Sequence, residues 1–372
     1  MPVSLYDVAA ENSVCSAQLR RAFARVLRSG RFVAGPETAA FQQELARYVG
    51  TRHAIAVSSG TDALVLALKA LGIGPGHEVI TTSFTFFATA EAVLLAGANP
   101  VFADIEPDTL CLSPAACAAA ITARTRAVLL VHVFGHCADM DRFTALCTRH
   151  RLALVEDAAQ AIGATWQGRN LGRFGKVGTF SFYPTKNLSA LGNGGAVLTD
   201  DATIARTVAS LQDHGAGAGG HRAVGWNSRL DELQAAFLRI KLLRLDKELA
   251  RRRQIAARYD AELPQELFRV HGPSGCVSNY HQYGLRTGRR DELRAFLAAE
   301  GIETGDYYRV PVHREPAFLK TSRVRRPGSA LPETEQACQE VLTLPVRPSL
   351  TNEQQTAVIA AVRRFFARRP TP

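Results

Sequence analysis

The sequence predicts an α/β protein: a large domain on a mostly parallel sheet covered by helices on both faces, followed by a small α+β domain. Three observations predict it. From Val33 to about Leu198, short apolar runs alternate with helical stretches, the succession that builds strand–helix–strand units. After a long amphipathic stretch that begins past Asn227, the pattern becomes mixed. At 372 residues the chain is also too long for one small core, which suits a large domain over 1–245 and a smaller one over 246–372.

Taken in order, the strand-like runs are HAIAVSS (53–59), EVITTS (78–83), PVFADI (100–105), AVLLVHVF (127–134), LALVED (152–157) and GTFSFY (178–183). Each is short and β-branched or apolar throughout, as strands buried on both faces are. Between them lie helical stretches: TDALVLALKAL (61–71), TAEAVLLAG (89–97), AACAAAITA (115–123) and MDRFTALCTRH (140–150). Right-handed crossovers between such strands place their C-terminal ends on one edge, where ligands of these sheets bind. Past Asn227, Leu230, Leu233, Phe237 and Ile240 recur at helical spacing, as one long helix or two abutting ones with a basic outer face. The domain boundary is expected inside this stretch, near 245. A strand near YGLRT (283–287), a helix at RDELRAFLAAE (290–300), a proline-bearing loop and a last helix from about Asn352 complete the chain. Only the terminal ARRPTP suggests disorder.

Composition excludes several classes. The apolar fraction of 47% and charged fraction of 21% are those of an ordinary globular protein. No apolar run approaches the roughly 20 residues of a membrane-spanning helix. The opening MPVSLYDVAAENS has neither a basic start nor an apolar core, so a cytoplasmic protein is expected. Seven dispersed cysteines without a CxxC pair suggest neither a disulfide framework nor a zinc site. His132, His136, Cys137, Asp139 and Asp141 lack metal-site spacing, and no metal is expected. The net charge of +10 suits an anionic partner or simply reflects arginine on solvated helix faces. No basic run is interleaved with aromatics in the manner of a nucleic-acid site. GIGPGH (72–77) follows a helix and precedes a strand, the reverse of a dinucleotide fingerprint, and reads as a turn.

The chemistry concentrates at the strand ends. SSGTDAL (58–64) places Ser-Gly-Thr between a strand and a helix, either a phosphate cradle or an ordinary N-cap. Asp157 ends the strand LALVED; a carboxylate there needs a cation or strong donors, unless it caps the next helix. In SFYPTKNLSALGNGGAV (181–197), Lys186 follows an apolar strand beside a Gly-rich stretch that permits close backbone approach. A lysine that forms a Schiff base must shed its proton near neutral pH, which requires partial burial. Cradle, strand-tip acid and lysine are together the set that pyridoxal phosphate demands: anchor, partner for the pyridine nitrogen, and amine for the aldehyde.

The chain closely resembles the DegT/DnrJ/EryC1/StrS family of pyridoxal-phosphate-dependent sugar aminotransferases over essentially its whole length. The resemblance lies in FVAGPETAAFQQELARYVG (32–50), SSGTDALVLALKALGIGPGHEVI, SFTFFATAEAV, VFADIEPDT, HCADMD, VEDAAQAIGA, FSFYPTKNL, GNGGAV, GWNSRLDELQAA, GIETGDYYRVPVH and LTLPVRP. It implies a fold-type I aminotransferase with a seven-stranded sheet in the large domain. Lys186 would carry the cofactor and then act as acid and base in the proton shift. Asp157 would pair with the pyridine nitrogen, Gln160 with the ring's phenolic oxygen, and Gly60, Thr61 and Ser181 with the phosphate. Phe86 matches the aromatic that stacks on the cofactor, though core packing also suits it. Asn227 matches a residue that reaches the partner's phosphate, which implies a homodimer with shared active sites. Arg229 would bind the amino donor's carboxylate or make a helix-start salt bridge, and Tyr308 and His313 match a loop near the sugar.

The implied reaction moves an amino group from L-glutamate or glutamine to a keto group of a nucleotide-linked sugar, in amino-sugar biosynthesis. Asp62 resembles members acting at C3 more than those acting at C4. Tyr307 and Arg309 depart from the His-Tyr-Pro often found in the family loop, and GAGAGG (215–220) is an unusually flexible version of its loop. Lys186 argues against the family's dehydrating variant, which carries histidine there. A non-catalytic binding or regulatory protein of the same fold, or an aminotransferase for an aminocyclitol precursor, are the alternatives.

Overall fold

A computed structural model describes residues 2–321 and 330–367. Most of the terminal ARRPTP stretch and part of the proline-bearing loop lie outside the described residues. The large sheet comprises β1 (His53–Val57), β2 (Glu78–Thr82), β3 (Asn99–Ala103), β4 (Thr125–Val131), β5 (Ala153–Asp157), β6 (Val177–Ser181) and β7 (Gly195–Thr199). Their order across the sheet is β1-β7-β6-β5-β4-β2-β3. All run parallel except β7, which is antiparallel to both of its neighbours. The reason is local: β6 connects to β7 through residues 182–194, with no crossover helix to carry the chain back across the sheet. That return loop holds Lys186.

Alternate residues of the strands feed two separate cores, as a sheet covered on both faces requires. Ile55, Val79, Leu129, Val155 and Val197 pack under the helices α1 (Gly60–Ala70), α2 (Phe87–Leu95) and α3 (Ala202–Leu211). Ala56, Ile80, Leu130, Leu154 and Ala196 face the opposite way, against the helices Pro36–Val49, Met140–His150 and Glu232–Leu242. The stretch past Asn227 is two helices, Glu232–Leu242 and Leu245–Glu262. Leu245 and Leu249 belong to the large core, whereas Ile255 and Tyr259 belong to a third core. That third core underlies a small antiparallel sheet of Phe268–Arg269, Tyr283–Arg286 and Val341–Leu344 and includes the helices Arg290–Ala299 and Asn352–Ala367.

The run AVLLVHVF does not continue as strand to Phe134. β4 stops at Val131, and Phe134 and Gly135 turn through φ 57 and 89. A Cβ at position 135 would stand 1.8 Å from the Asn279 carboxamide oxygen, so only glycine lets these segments approach. The helix read from AACAAAITA also ends early, at Ala120, because Ile121 is extended and the Thr122 amide donates to the Thr125 hydroxyl.

Candidate active site

A cavity of about 510 Å³ lies at the C-terminal edge of the parallel strands and is lined by Gly60, Thr61, Phe86, Asp157, Gln160, Ser181, Lys186 and Tyr308, among others. The first of its walls is the start of α1. Ser59 caps that helix by accepting from the Asp62 amide, and the first intrahelical bond runs from Ala63 to the Ser59 carbonyl. The Gly60 and Thr61 amides precede the first closed turn, where a helix offers donors to an anion. A Cβ on Gly60 would meet the Ser181 Cβ at 2.7 Å, so glycine is what lets the helix start sit against the end of β6.

Asp157, at the tip of β5, is buried. One carboxylate oxygen accepts from the Thr89 hydroxyl at 2.8 Å and the other from the Ala159 amide at 3.2 Å. Burial raises its pKa, and these two donors together with the Lys186 charge oppose that rise. Its neighbour Glu156 points to the other face of the strand. There it accepts from the Gly172, Phe174 and Gly175 amides and pairs with His132 at 3.0 Å, which orders the chain beneath the cavity.

Lys186 closes a tight turn, its amide donating to the Tyr183 carbonyl at 2.8 Å. Its side chain is partly accessible, and it lines the cavity. Desolvation by the surrounding protein brings its pKa down to about 8, against the pull of Asp157. Gln160 accepts from the Phe134 amide at 2.7 Å and donates to the Tyr308 hydroxyl at 2.7 Å. Tyr308 stacks on Phe134 with rings 6.1 Å apart and 8° from parallel. Phe86, just ahead of α2, is 64% exposed at the cavity rather than packed in a core.

Three sequence-predicted residues are not brought into this cavity by the single chain. Arg229 pairs with Asp213 and donates to the Asn227 carboxamide at 3.1 Å, so within one chain it makes the salt bridge. Asn227 itself bridges to Asp213 through its backbone. His313 lies against Ser83 at 2.8 Å, with its other ring nitrogen 3.5 Å from the Glu335 carboxylate. Asp62 faces away from the cavity as well: it binds the Ser58 and Ser228 hydroxyls and the Trp226 indole, and so ties α1 to the 226–228 segment.

Sequence reasoning missed a second group. Tyr6 and Tyr307 join hydroxyl to hydroxyl, and Gln282 donates to Tyr6, so the N-terminal segment closes one side of the cavity. His281 also lines it and is held neutral by burial and by the charges of Lys186 and Arg252. None of these carried a local pattern; Tyr307, noted only as a departure from the family loop, was the one available signal. A larger, more open hollow of about 1090 Å³ sits at the opposite edge of the sheet, beside Arg126, Arg151, Arg173 and Lys176. It contains no lysine facing a buried acid. Among the described residues, no helix is long and apolar enough to cross a membrane and no cluster of three or more His, Cys, Asp or Glu could hold a metal.

Fold and site together define a class, the fold-type I aminotransferases, with which solved structures similar to this chain agree. Residues 15–363 match the DegT/DnrJ/EryC1/StrS aminotransferase family, and the chain belongs to that family. It is 45% identical to a dTDP-3-amino-3,4,6-trideoxy-alpha-D-glucose transaminase of Streptomyces venezuelae over 98% of this chain and 97% of that one. It is 41% identical to a pleiotropic regulatory protein of Geobacillus stearothermophilus, over 98% and 99%. The crystal structure of DesV of S. venezuelae in complex with a ketimine intermediate superposes with a TM-score of 0.95 at 44% identity, covering 99% of both chains. NtdA of Bacillus subtilis with bound cofactor PMP gives 0.88 at 31% identity, covering 95% of this chain and 82% of that one.

Proposed function

We propose that this aminotransferase uses pyridoxal phosphate to move an amino group from L-glutamate or glutamine to a keto carbon of a nucleotide-linked sugar, at C3. The observation that carries this reading is Lys186, its pKa lowered to about 8 and its side chain sharing one cavity with the buried Asp157. Support for the acceptor comes from relatives named as dTDP-3-amino-sugar transaminases and as a UDP-N-acetyl-3-dehydro-alpha-D-glucosamine 3-aminotransferase.

The residues present fit the cofactor. The cradle at Gly60 and Thr61 exists because position 60 lacks a Cβ, and burial lowers the pKa of the amine as a Schiff-base lysine needs. The buried Asp157 has its ionised form supported by Thr89, Ala159 and the Lys186 charge, against the rise that burial imposes. When bound, pyridoxal phosphate supplies an electron sink that stabilises negative charge at the carbon exchanging its amino group. Each residue then has one task. The Gly60 and Thr61 amides and the Ser181 hydroxyl bind the phosphate. Asp157, oriented by Thr89 and Ala159, presents negative charge to the ring nitrogen. Gln160, held by Phe134 and Tyr308, would offer its amide to the ring oxygen, and Phe86 would cover the ring. Lys186, about one-tenth neutral at pH 7 given its pKa, is the amine that would hold the cofactor's aldehyde. As a free amine beside the substrate, it would serve as base and then acid for the proton that moves there.

The working unit in this proposal is a homodimer. One chain leaves Asn227 and Arg229 outside its own cavity, while Phe86 and Tyr183 stay exposed beside it. A second copy would supply Asn227 to the phosphate, with Arg229 receiving the donor's carboxylate through its guanidinium fork. Tyr308 would face the sugar in the cavity, whereas His313 is engaged by Ser83 and Glu335 outside it. A cytoplasmic location is part of the reading, supported by seven free cysteines.

The test is a panel of 3-keto and 4-keto nucleotide sugars offered to the glutamate-loaded enzyme. Glutamate should move the cofactor band from about 420 nm to roughly 330 nm, and a 3-keto sugar should restore it. No glutamate-driven shift would favour a regulatory protein instead, and restoration by 4-keto sugars alone would overturn the C3 assignment.

A further inference from the structure

We infer that Cys276 and Cys137 form a thiol modification site that exchanges with small-molecule disulfides of the glutathione type and closes into a reversible internal disulfide. The two residues are 139 positions apart in sequence and meet in space. Cys137 follows the kinked turn beyond β4, while Cys276 opens a two-residue strand paired with Thr165–Trp166. The Cys276 sulfur accepts from the Cys137 amide at 3.3 Å, which sets the two residues side by side.

The two thiols are unequal in the way an exchange site needs. Cys276 is partly accessible and Cys137 is fully buried, so a reagent meets Cys276 first. Contact with Cys137, its amide included, lowers the Cys276 pKa, whereas contact with Cys276 and burial push the Cys137 thiol up. A partly accessible thiol whose ionised form is favoured, beside a buried thiol, is the arrangement of an attacking and a resolving cysteine. Gly272 makes room for it: a Cβ there would stand 2.5 Å from the Cys276 sulfur. The third nearby cysteine, Cys111, is buried, and burial raises its pKa to about 12, which leaves it inert.

The chemistry balances. The Cys276 thiolate attacks one sulfur of oxidised glutathione and expels a glutathione thiolate. Cys137 then loses its proton and attacks the Cys276 sulfur, releasing the second glutathione. Two protein thiols are oxidised, one disulfide is reduced, and no other reactant is needed. The bond would join the 133–137 turn, which carries Phe134 into the cavity, to the segment that continues into His281 and Gln282. Ser278 already bonds the Gly135 carbonyl there at 2.9 Å. None of these cysteines has a role in the proposed transamination, so the inference stands apart from that reading.

The experiment equilibrates the full-length protein with mixtures of oxidised and reduced glutathione and maps its thiols by peptide mass spectrometry without reduction. A 137–276 link is expected in the wild-type chain and in Cys111→Ser, disappearing when reduced glutathione is in excess. Cys137→Ser should stop at a glutathione adduct on Cys276, and Cys276→Ser should show neither product. Wild-type protein that stops at the adduct, stays unreacted at every ratio, or links through Cys111 overturns the proposal.

Discussion

At the scale of the residue, the behaviour of Lys186 follows from where its turn places it. An ordinary lysine would be neutral in only about one molecule in three thousand at pH 7; here desolvation outweighs the Asp157 charge and brings the pKa to about 8. Because the pKa is lowered, the neutral amine gains with rising pH and is nearly complete above about pH 9. The rate at which cofactor-free protein captures pyridoxal phosphate should therefore climb through pH 8 and then level off. Stopped-flow absorbance over that range checks it; a climb that continues to pH 10.5 would mean the amine is solvated. Position 186 was legible because one lysine stood between a strand and a Gly-rich run. Its pKa was not, since it depends on atoms from segments far away in sequence.

At the scale of the element, the start of α1 against the end of β6 sets the phosphate cradle. Gly60→Ala drives a methyl toward Ser181 at 2.7 Å, and overpacking of this kind costs about 1–3 kcal/mol. Cofactor affinity should drop by roughly tenfold or more with the fold retained, as read by equilibrium titration. The same helix carries Asp62, whose three donors come from Ser58, Ser228 and Trp226. Asp62→Ala strands these donors and should lower stability by about 1–3 kcal/mol in urea unfolding. A neutral result would show that water replaces the carboxylate. Asp62 entered the sequence argument as a clue to the sugar carbon; in the structure it acts on the 226–228 segment and touches no part of the cavity. The order of six strands and of the helices between them was readable from period, whereas β7, α3 and the helix Pro36–Val49 were not read. Nor was the early end of β4, because Asn279, far along the chain, decides what fits at Gly135.

At the scale of the whole molecule, the dimer proposal makes a sharp prediction. Lys186→Ala and Asn227→Ala should each be inactive as folded homodimers. If Asn227 serves the partner's site, a mixed dimer places both changes in one site and neither in the other. Mixing the two proteins after subunit exchange should then restore about a quarter of native activity, since about half the dimers are hybrids with one intact site each. Activity that stays at the level of the separate variants would place Asn227 within its own chain's site.

Strand and helix periodicity determined the layered fold, and the residues at strand ends determined which groups carry the chemistry, because both are local properties of the chain. Tertiary structure alone decided the reversed β7 and the Tyr6–Tyr307–Gln282 wall. It also decided the meeting of Cys137 with Cys276 and the depressed pKa of Lys186. Each of these rests on contacts between distant segments, and burial and hydrogen bonding across such contacts leave no periodic trace in a sequence.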